Sequence, residues 1–423
     1  MTYENSLAFA RQLDLADPLR SFRDEFLIPR RADRDLIYLC GNSLGLQPRA
    51  ARAALDRELD TWQHLGVEGW FETTEAAEQP WLSYHERCKG DLAVIVGARP
   101  VEVCPMNALT VNIHLLLASF YRPTPTRYRI LTIKGDFPSD QYALETHVRH
   151  HNLDPADAII EVAPRADGLI YTTDLQEAIA HHAHELAVIW LSGLNYYTGQ
   201  VYNMAALAAT AHAHCVPIGL DLAHAIGNVS LQLHDWGVDF ATWCSYKYLN
   251  GGPGAVSGVF VHEKHHHAGL PRLAGWWGYR EDTRFQMTPG FVPAPGADGW
   301  QLSTPNIPAL ALHRAAIALT AQAGMAALRH KSEQLTGFLA HVLAPFEAIR
   351  ILTPSDPNQR GCQLSLLVAE DGKRLFTYLT EAGIIGDWRE PDCIRLAPVP
   401  LYNTFEEVWQ VGQALDRFFG RLG

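Results

Sequence analysis

The 423-residue chain reads as an α/β protein, with a large domain around a mainly parallel sheet and a small α+β domain. Two observations predict this. From about residue 90 to 260, short runs that are apolar throughout alternate with helical stretches, as in parallel strands covered by helices on both faces. Past about residue 360 the order becomes strand, helix, two short strands and a closing helix, which suits a separate small unit. A chain of this length exceeds one compact core, and two domains can bury a ligand between them. The expected divisions are 1–60, contributing to the small domain and the mouth of the site, 61–310 for the large domain and 311–423 for the small one.

Taken in order, the segments 129–133, 187–191, 216–220 and 256–261 are the strands, and 109–120, 174–184 and 204–214 the intervening helices. Ligands of such sheets bind beyond the carboxyl ends of the strands. The stretch 269–308 carries AGWWGY and TPGFVPAPGADGW, so it reads as a structured loop region that packs onto something. One long helical stretch is expected over 309–343, then a strand at 362–368, a helix at 373–382 and strands near Ile384 and Ile394. Thr404 and Glu407 give the last helix a capping box.

The formal charge is −12 and no Lys/Arg-rich block occurs, which disfavours a nucleic-acid partner. The opening MTYENSLAFARQLDLADPLRSF lacks the apolar core of a signal peptide, and no later run is long enough to span a membrane. A cytoplasmic location is expected. Seven cysteines, none in a CxxC pair, read as reduced core residues. The runs His265-His266-His267 and His181-His182/His184 have no partner at ligand spacing. They read as solvated surface, and no metal site is expected.

Lysine is scarce, with six in the whole chain. Lys89, Lys264, Lys331 and Lys373 have polar neighbours and read as solvated, and Lys134 ends a strand. Lys247 lies between two tyrosines in WCSYKYLN, a setting that desolvates an amine and makes it nucleophilic. The same setting suits an ion-paired lysine equally well. Asp221 shifts the balance, since it ends a buried strand 26 residues earlier and is followed by His224. A carboxylate so placed can hold a heterocyclic nitrogen protonated. MNALTVN opens a helix at Leu109 and Thr110, where free N–H groups can meet a phosphate, although Thr110 also suits a plain N-cap. No GxGxxG or GxxxxGK[ST] supports a nucleotide. Phe137 and Asp140, in GDFPSD, are placed to stack on a flat ring and to bond its edge.

The strand-Asp-x-x-His then Lys order is that of the aminotransferase-like (fold type I) enzymes. Within them the chain resembles the kynureninases, through LCGNSLGLQP, FPSDQYA, LSGLNYYTGQ, the long GLDLAHAIGNVSLQLHDWGVDFATWCSYKYLNGGPGA, GWWG and IRLAPVPLYNTFEEV. The blocks span about residues 36 to 410, and Asp221 to Leu249 is the most specific. The resemblance implies pyridoxal 5'-phosphate held by Lys247 as a Schiff base, with Asp221 on the pyridinium nitrogen and His224 close by. It places Phe137, Pro138, Ser139 and Asp140 along the ring, Leu109 and Thr110 at the phosphate, and Ser192 and Tyr246 at the cofactor. Trp276 and Thr304 are implied to reach the phosphate from a second subunit, making a homodimer with shared sites. Arg395 matches the arginine that clamps the substrate α-carboxylate, and Asn42, Ser43 and Trp70 fall near the substrate. Catalysis is assigned to Lys247, Tyr246 and Asp221. The implied reaction is hydrolysis of L-kynurenine, or its 3-hydroxy form, to anthranilate and L-alanine in tryptophan catabolism. Thr304 and Trp70 stand where relatives often carry Asn and His, which predicts a preference for the unhydroxylated substrate. A cysteine desulfurase or aminotransferase on the same scaffold is the nearest alternative. A non-catalytic binding protein is the alternative of another class, and the complete Lys, Asp and Arg set argues against it.

Overall fold

The computed structural model describes residues 2–74 and 79–420. Seven strands form the main sheet: β1 (Val103–Pro105), β2 (Arg129–Ile133), β3 (Ile159–Val162), β4 (Leu186–Ser192), β5 (Ile218–Asp221), β6 (Phe240–Trp243) and β7 (Gly258–Val261). Their order across the sheet is β1-β7-β6-β5-β4-β2-β3, and only β7 runs against its neighbours. β1, β3 and β6 were not anticipated. Each has only three or four residues, too few for a periodic signal. Central strands are buried on both faces, so every residue of β5, β6 and β7 is buried. Gly219 has a specific reason: a Cβ there would lie 2.2 Å from the Phe240 ring. The bare backbone lets that ring stack on Phe120 at 4.1 Å.

The second sheet contains β8 (Ile349–Ile351), β9 (Leu364–Val368), β10 (Asp387–Arg389) and β11 (Cys393–Leu396), in the antiparallel order β8-β9-β11-β10. Its register sets Ser365, Arg395 and Asp387 side by side. The N-terminal segment packs here as well. Ile37 and Tyr38 pair with Ile384 and Ile385, and the Asp14 carboxylate accepts the N–H groups of Phe405 and Glu406 at the start of the last helix. The Thr404–Glu407 capping box forms as expected.

The expected single helix over 309–343 is two, Ile307–Ala323 and Met325–Leu343, broken at Gly324 with φ +77°. Lys89 and Lys331 are buried rather than solvated. Lys89 pairs with Glu86 and Asp298, and Lys331 with Asp17 at 2.7 Å. The histidine runs are partly engaged too: His265 Nε2 lies 2.7 Å from Asp239 and His182 Nδ1 2.6 Å from Glu185. Among the described residues, no helix is long and apolar enough to cross a membrane.

Candidate active site

The site lies beyond the carboxyl ends of β2, β4 and β5. Asp221 is the last residue of β5, and the register sets it opposite Ser192, the last residue of β4. The loop after β2 carries Asp136 and Phe137 and leads into the helix Pro138–His150. That helix and Leu109–Phe120 bring their N-termini together, with Thr110 Oγ1 and Ser139 Oγ 2.7 Å apart. Neither Ala108 nor Phe137, the capping residues, has a side-chain cap, so first-turn N–H groups remain free for an anion. Thr110 is therefore inside the helix and is not its N-cap. Pro138 at the first helical position has no N–H to satisfy.

Lys247 is 8% exposed, its Nζ 5.7 Å from the centre of the Phe137 ring and 5.8 Å from that of Tyr246. The turn carrying it is braced from the N-terminal segment, where Gly45 N donates to Tyr246 O. A Cβ at Gly45 would come within 2.3 Å of Lys247 O, so glycine is required for that approach. This packing brings Asn42 and Ser43 alongside. Asn42 Nδ2 donates to Gln363, while its buried Oδ1 has no donor.

Three buried carboxylates lie within electrostatic range of one another, and one of them, Asp221, also of the Lys247 amine. Asp221 Oδ1 accepts the Ala223 N–H, Asp140 Oδ1 accepts the Trp190 indole N–H, and Asp136 Oδ1 accepts the Phe137 N–H. Burial raises the affinity of all three for a proton, and their mutual repulsion adds to it at Asp140 and Asp136. Asp136 is pushed up to about 6. Conversely, burial, then the charges of Lys247, Arg395 and Arg389, hold His224 well below the usual imidazole range, so it is neutral. Asp140 Oδ2 and His224 Nδ1 are buried without a partner. The arrangement fits pyridoxal 5'-phosphate. A cationic ring nitrogen would answer the excess of carboxylates, the paired helix N-termini would take the phosphate, and the Lys247 amine would take the aldehyde.

The acid in this group absent from the sequence-based set is Asp136. Its pKa is raised, so its stabilising contribution is present below the unfolded value of 3.8 and is lost as pH climbs through about 6. In cofactor-free protein, Asp136→Asn is therefore expected to gain in melting temperature relative to wild type between pH 5 and 7.5. Parallel melting curves across that range would contradict the assignment.

Arg395 is wholly inaccessible, yet its Nη1 donates to Tyr196 O at 2.7 Å, and the Tyr196 ring lies edge-on to Phe137 at 5.3 Å. The arginine thus joins the small sheet to the lysine site. Trp276, Thr304 and Trp70 are placed elsewhere. Thr304 lines a cavity of about 270 Å³ with Met106, Asn107 and Ala108, the last of which directly precedes Leu109. Trp70 packs against Trp81 and Trp277, and Trp276 lies on an exposed loop. Among the described residues, no hydrogen bond or ring contact joins these three to Lys247.

Fold and site together define an aminotransferase-like α/β protein whose buried lysine and acids fit a pyridoxal-phosphate cofactor. Among solved structures, a cysteine desulfurase from Escherichia coli superposes with a TM-score of 0.78 at 19% identity, covering 96% of this chain and 99% of that one. C-DES, solved with glycine covalently linked to its PLP cofactor, gives 0.77 at 20% identity, covering 93% and 99%. At these identities the likeness is one of fold. Residues 328–415 match the kynureninase C-terminal domain. A kynureninase of Xanthomonas oryzae pv. oryzae is 54% identical over 414 residues, which are 96% of this chain and 97% of that protein. One from Xanthomonas campestris pv. campestris is 53% identical over 423 residues, covering 98% and 99%. The chain belongs to the kynureninase family.

Proposed function

We propose that this chain hydrolyses L-kynurenine to anthranilate and L-alanine with pyridoxal phosphate held at Lys247, as a homodimer in the cytoplasm. What carries the reading is the coincidence of family membership with a buried amine set among Phe137, Tyr246 and Asp221. The bound cofactor supplies an electron sink for charge developing on the substrate α-carbon. With the cofactor bound, an ionised Asp221 would hold its ring nitrogen protonated, Phe137 would be placed to stack on the ring, and the Lys247 amine, when free, would be placed to take the α-proton. Water adds to the side-chain ketone, the Cβ–Cγ bond breaks, and the hydroxyl oxygen ends in the anthranilate carboxylate. Burial raises the Tyr246 phenol, so it remains an O–H and can donate the proton that completes the alanine methyl group. The desulfurase alternative needs a reactive thiolate. Cys40, half-buried within range of Asp387 and Arg395, is instead pushed up to about 12, by burial and then by Asp387. The deciding experiment is the fluorescence of anthranilate after kynurenine is added to the cofactor-loaded protein. Its absence, with cofactor bound, refutes the proposal. Run beside it, 3-hydroxykynurenine is expected to be the poorer substrate, on the match of Thr304 and Trp70 to positions where relatives often carry Asn and His.

The second copy is proposed from the surface. Trp276, Phe285, Met287, Phe291 and Val292 are all exposed on one loop region, an apolar face that a partner would cover. A symmetric contact there would also carry Trp276 and Thr304 to the other protomer's phosphate cup. Trp276→Asp is expected to shift the sedimenting species from dimer to monomer and to weaken cofactor retention about tenfold or more. A monomeric wild type that keeps its cofactor would contradict the shared site.

A further inference from the structure

Tyr196 lies in the loop that follows β4, and its backbone carbonyl accepts two donors from the small domain. Arg395 Nη1 lies 2.7 Å from it and Gln363 Nε2 3.1 Å. The next two carbonyls of the loop are held in the same way, Tyr197 O by Ser365 Oγ and Thr198 O by Thr353 Oγ1. Gln363, Ser365 and Arg395 are fully buried. The small sheet explains why they converge. Ser365 is directly opposed to Arg395 across β9 and β11. Gln363 comes two residues before Ser365, the spacing that returns a side chain to one face of an extended chain, and its Nε2 lies 2.9 Å from Ser365 Oγ.

Every bond in this group has one possible direction. A peptide carbonyl only accepts, so Gln363 turns its nitrogen to Tyr196 O and its oxygen away. Ser365 gives its own proton to Tyr197 O and therefore accepts the second Gln363 N–H. The Gln363 oxygen in turn accepts Asn42 Nδ2 at 3.0 Å. One buried amide thus joins the segment of Asn42 and Ser43, the start of β9 and the carbonyl that holds Arg395. The arginine is left with one open donor. Its Nε donates to Asp387 Oδ1 at 3.2 Å and its Nη1 to Tyr196 O. Its Nη2 is buried without a hydrogen-bond partner, although Asp387 Oδ2 lies 2.9 Å away. An unmet guanidinium N–H in a sealed site is costly, and an entering carboxylate would satisfy it.

Resting on the reading of the substrate as an α-amino acid with its carboxylate at Arg395, we propose that Gln363 is the positioning residue of that clamp. By sharing the Tyr196 carbonyl, Gln363 fixes the acceptor to which Arg395 Nη1 is committed. This sets the plane of the guanidinium and the direction in which Nη2 points. Through Asn42 the same amide holds the Ser43 segment against the site. Gln363 is sealed, so it acts on the substrate through its neighbours and not by contact. A planar fork recognises a carboxylate well only when its plane is set, and a group that sets it contributes affinity from behind.

The test uses the cofactor-loaded full chain, with Gln363→Met, which keeps the volume and removes the amide, beside wild type. L-Alanine and ethylamine, the same molecule without its carboxylate, are titrated while the visible absorbance of the cofactor is followed. The variant should keep the cofactor spectrum and bind ethylamine as wild type does, while L-alanine weakens about tenfold, the scale of one misdirected charged hydrogen bond. With kynurenine, KM should rise by a similar factor and kcat should change much less. In an Arg395→Gln background, Gln363→Met should weaken L-alanine by less than about twofold further, because its effect runs through the guanidinium. Gln363→Asn, whose amide is drawn back by one methylene, gives the same readings if the methionine variant does not fold. Unchanged L-alanine affinity overturns the proposal. So does an equal loss for ethylamine, which would reveal a merely structural role, or a full loss in the Arg395→Gln background. The titration reads carboxylate recognition without turnover, so a wild type that binds L-alanine but releases no anthranilate refutes the proposed reaction and not the role of Gln363.

Discussion

Lys247→Ala is expected to lose anthranilate release by about 10²–10⁴-fold or more, the range associated with removing a positioned proton-transfer group. The structure supplies the reason that no other lysine can substitute. Lys89 and Lys331 are held by Asp298 and Asp17, Lys264 pairs with Asp239, Lys373 is exposed over the Trp388 ring, and Lys134 is exposed at the end of β2. Only Lys247 has its amine between the Phe137 and Tyr246 rings. Two measurements check this independently of rate. Borohydride treatment of the loaded wild type should fix a pyridoxyl group on the peptide containing Lys247, and the variant should take up no label there. Label on the peptide containing Lys134 would overturn the assignment. The phosphate cup at Thr110 and Ser139 is untouched, so the variant should still bind the cofactor, non-covalently and with an altered visible spectrum.

How much of this was legible in the sequence depended on how far apart the partners lie. Lys247 and Asp221 stood out because a charged residue in an apolar run is expensive unless it has a task, and each lies in such a run. The helix beginning at Leu109 declared itself by periodicity, and the strand ending at Ile133 by its short apolar run. Lys89 and Lys331 misled for the converse reason. Their immediate neighbours are polar, and the acids that make burial tolerable, Asp298 and Asp17, come from remote segments. Asp387 was hidden in a different way. In the sequence it reads as part of an ordinary polar strand end, and only the pairing of β10 with β11 sets it against Arg395. Asp136 was legible in principle, since it precedes Phe137 in the same loop. Its polar surroundings in KGDFPSD made it look like a turn residue, whereas the structure buries it to 4% exposure. Trp70 and Thr304 came from motif position alone, and neither their spacing nor their local pattern says which protomer they serve.

Asp221→Asn should show the other large effect, and the reason is the charge balance around the ring. In the cofactor-free protein, burial raises the Asp221 carboxyl, with the Ala223 N–H and the Lys247 amine pulling the other way. A cationic ring nitrogen placed against it reverses that balance, because the carboxylate then has a full counter-charge in a site closed to water. Removing one member of a buried ion pair costs roughly 3–5 kcal/mol, and each 1.36 kcal/mol on a barrier is about tenfold in rate. The expected loss of kcat is therefore about two to four orders of magnitude, since asparagine keeps the shape and a hydrogen bond but cannot hold the nitrogen protonated. Asp140 lies close enough for the two carboxylates to repel, and its Oδ1 is committed to the Trp190 indole. The variant should also retain cofactor less well, measured as a larger dissociation constant on dialysis and reloading, while its melting temperature without cofactor should not fall, because a buried and repelled carboxylate has been neutralised. Full activity in Asp221→Asn would place the ring nitrogen elsewhere. A cofactor-free protein that becomes markedly less stable would make Asp221 a structural residue of β5 rather than the partner of the ring.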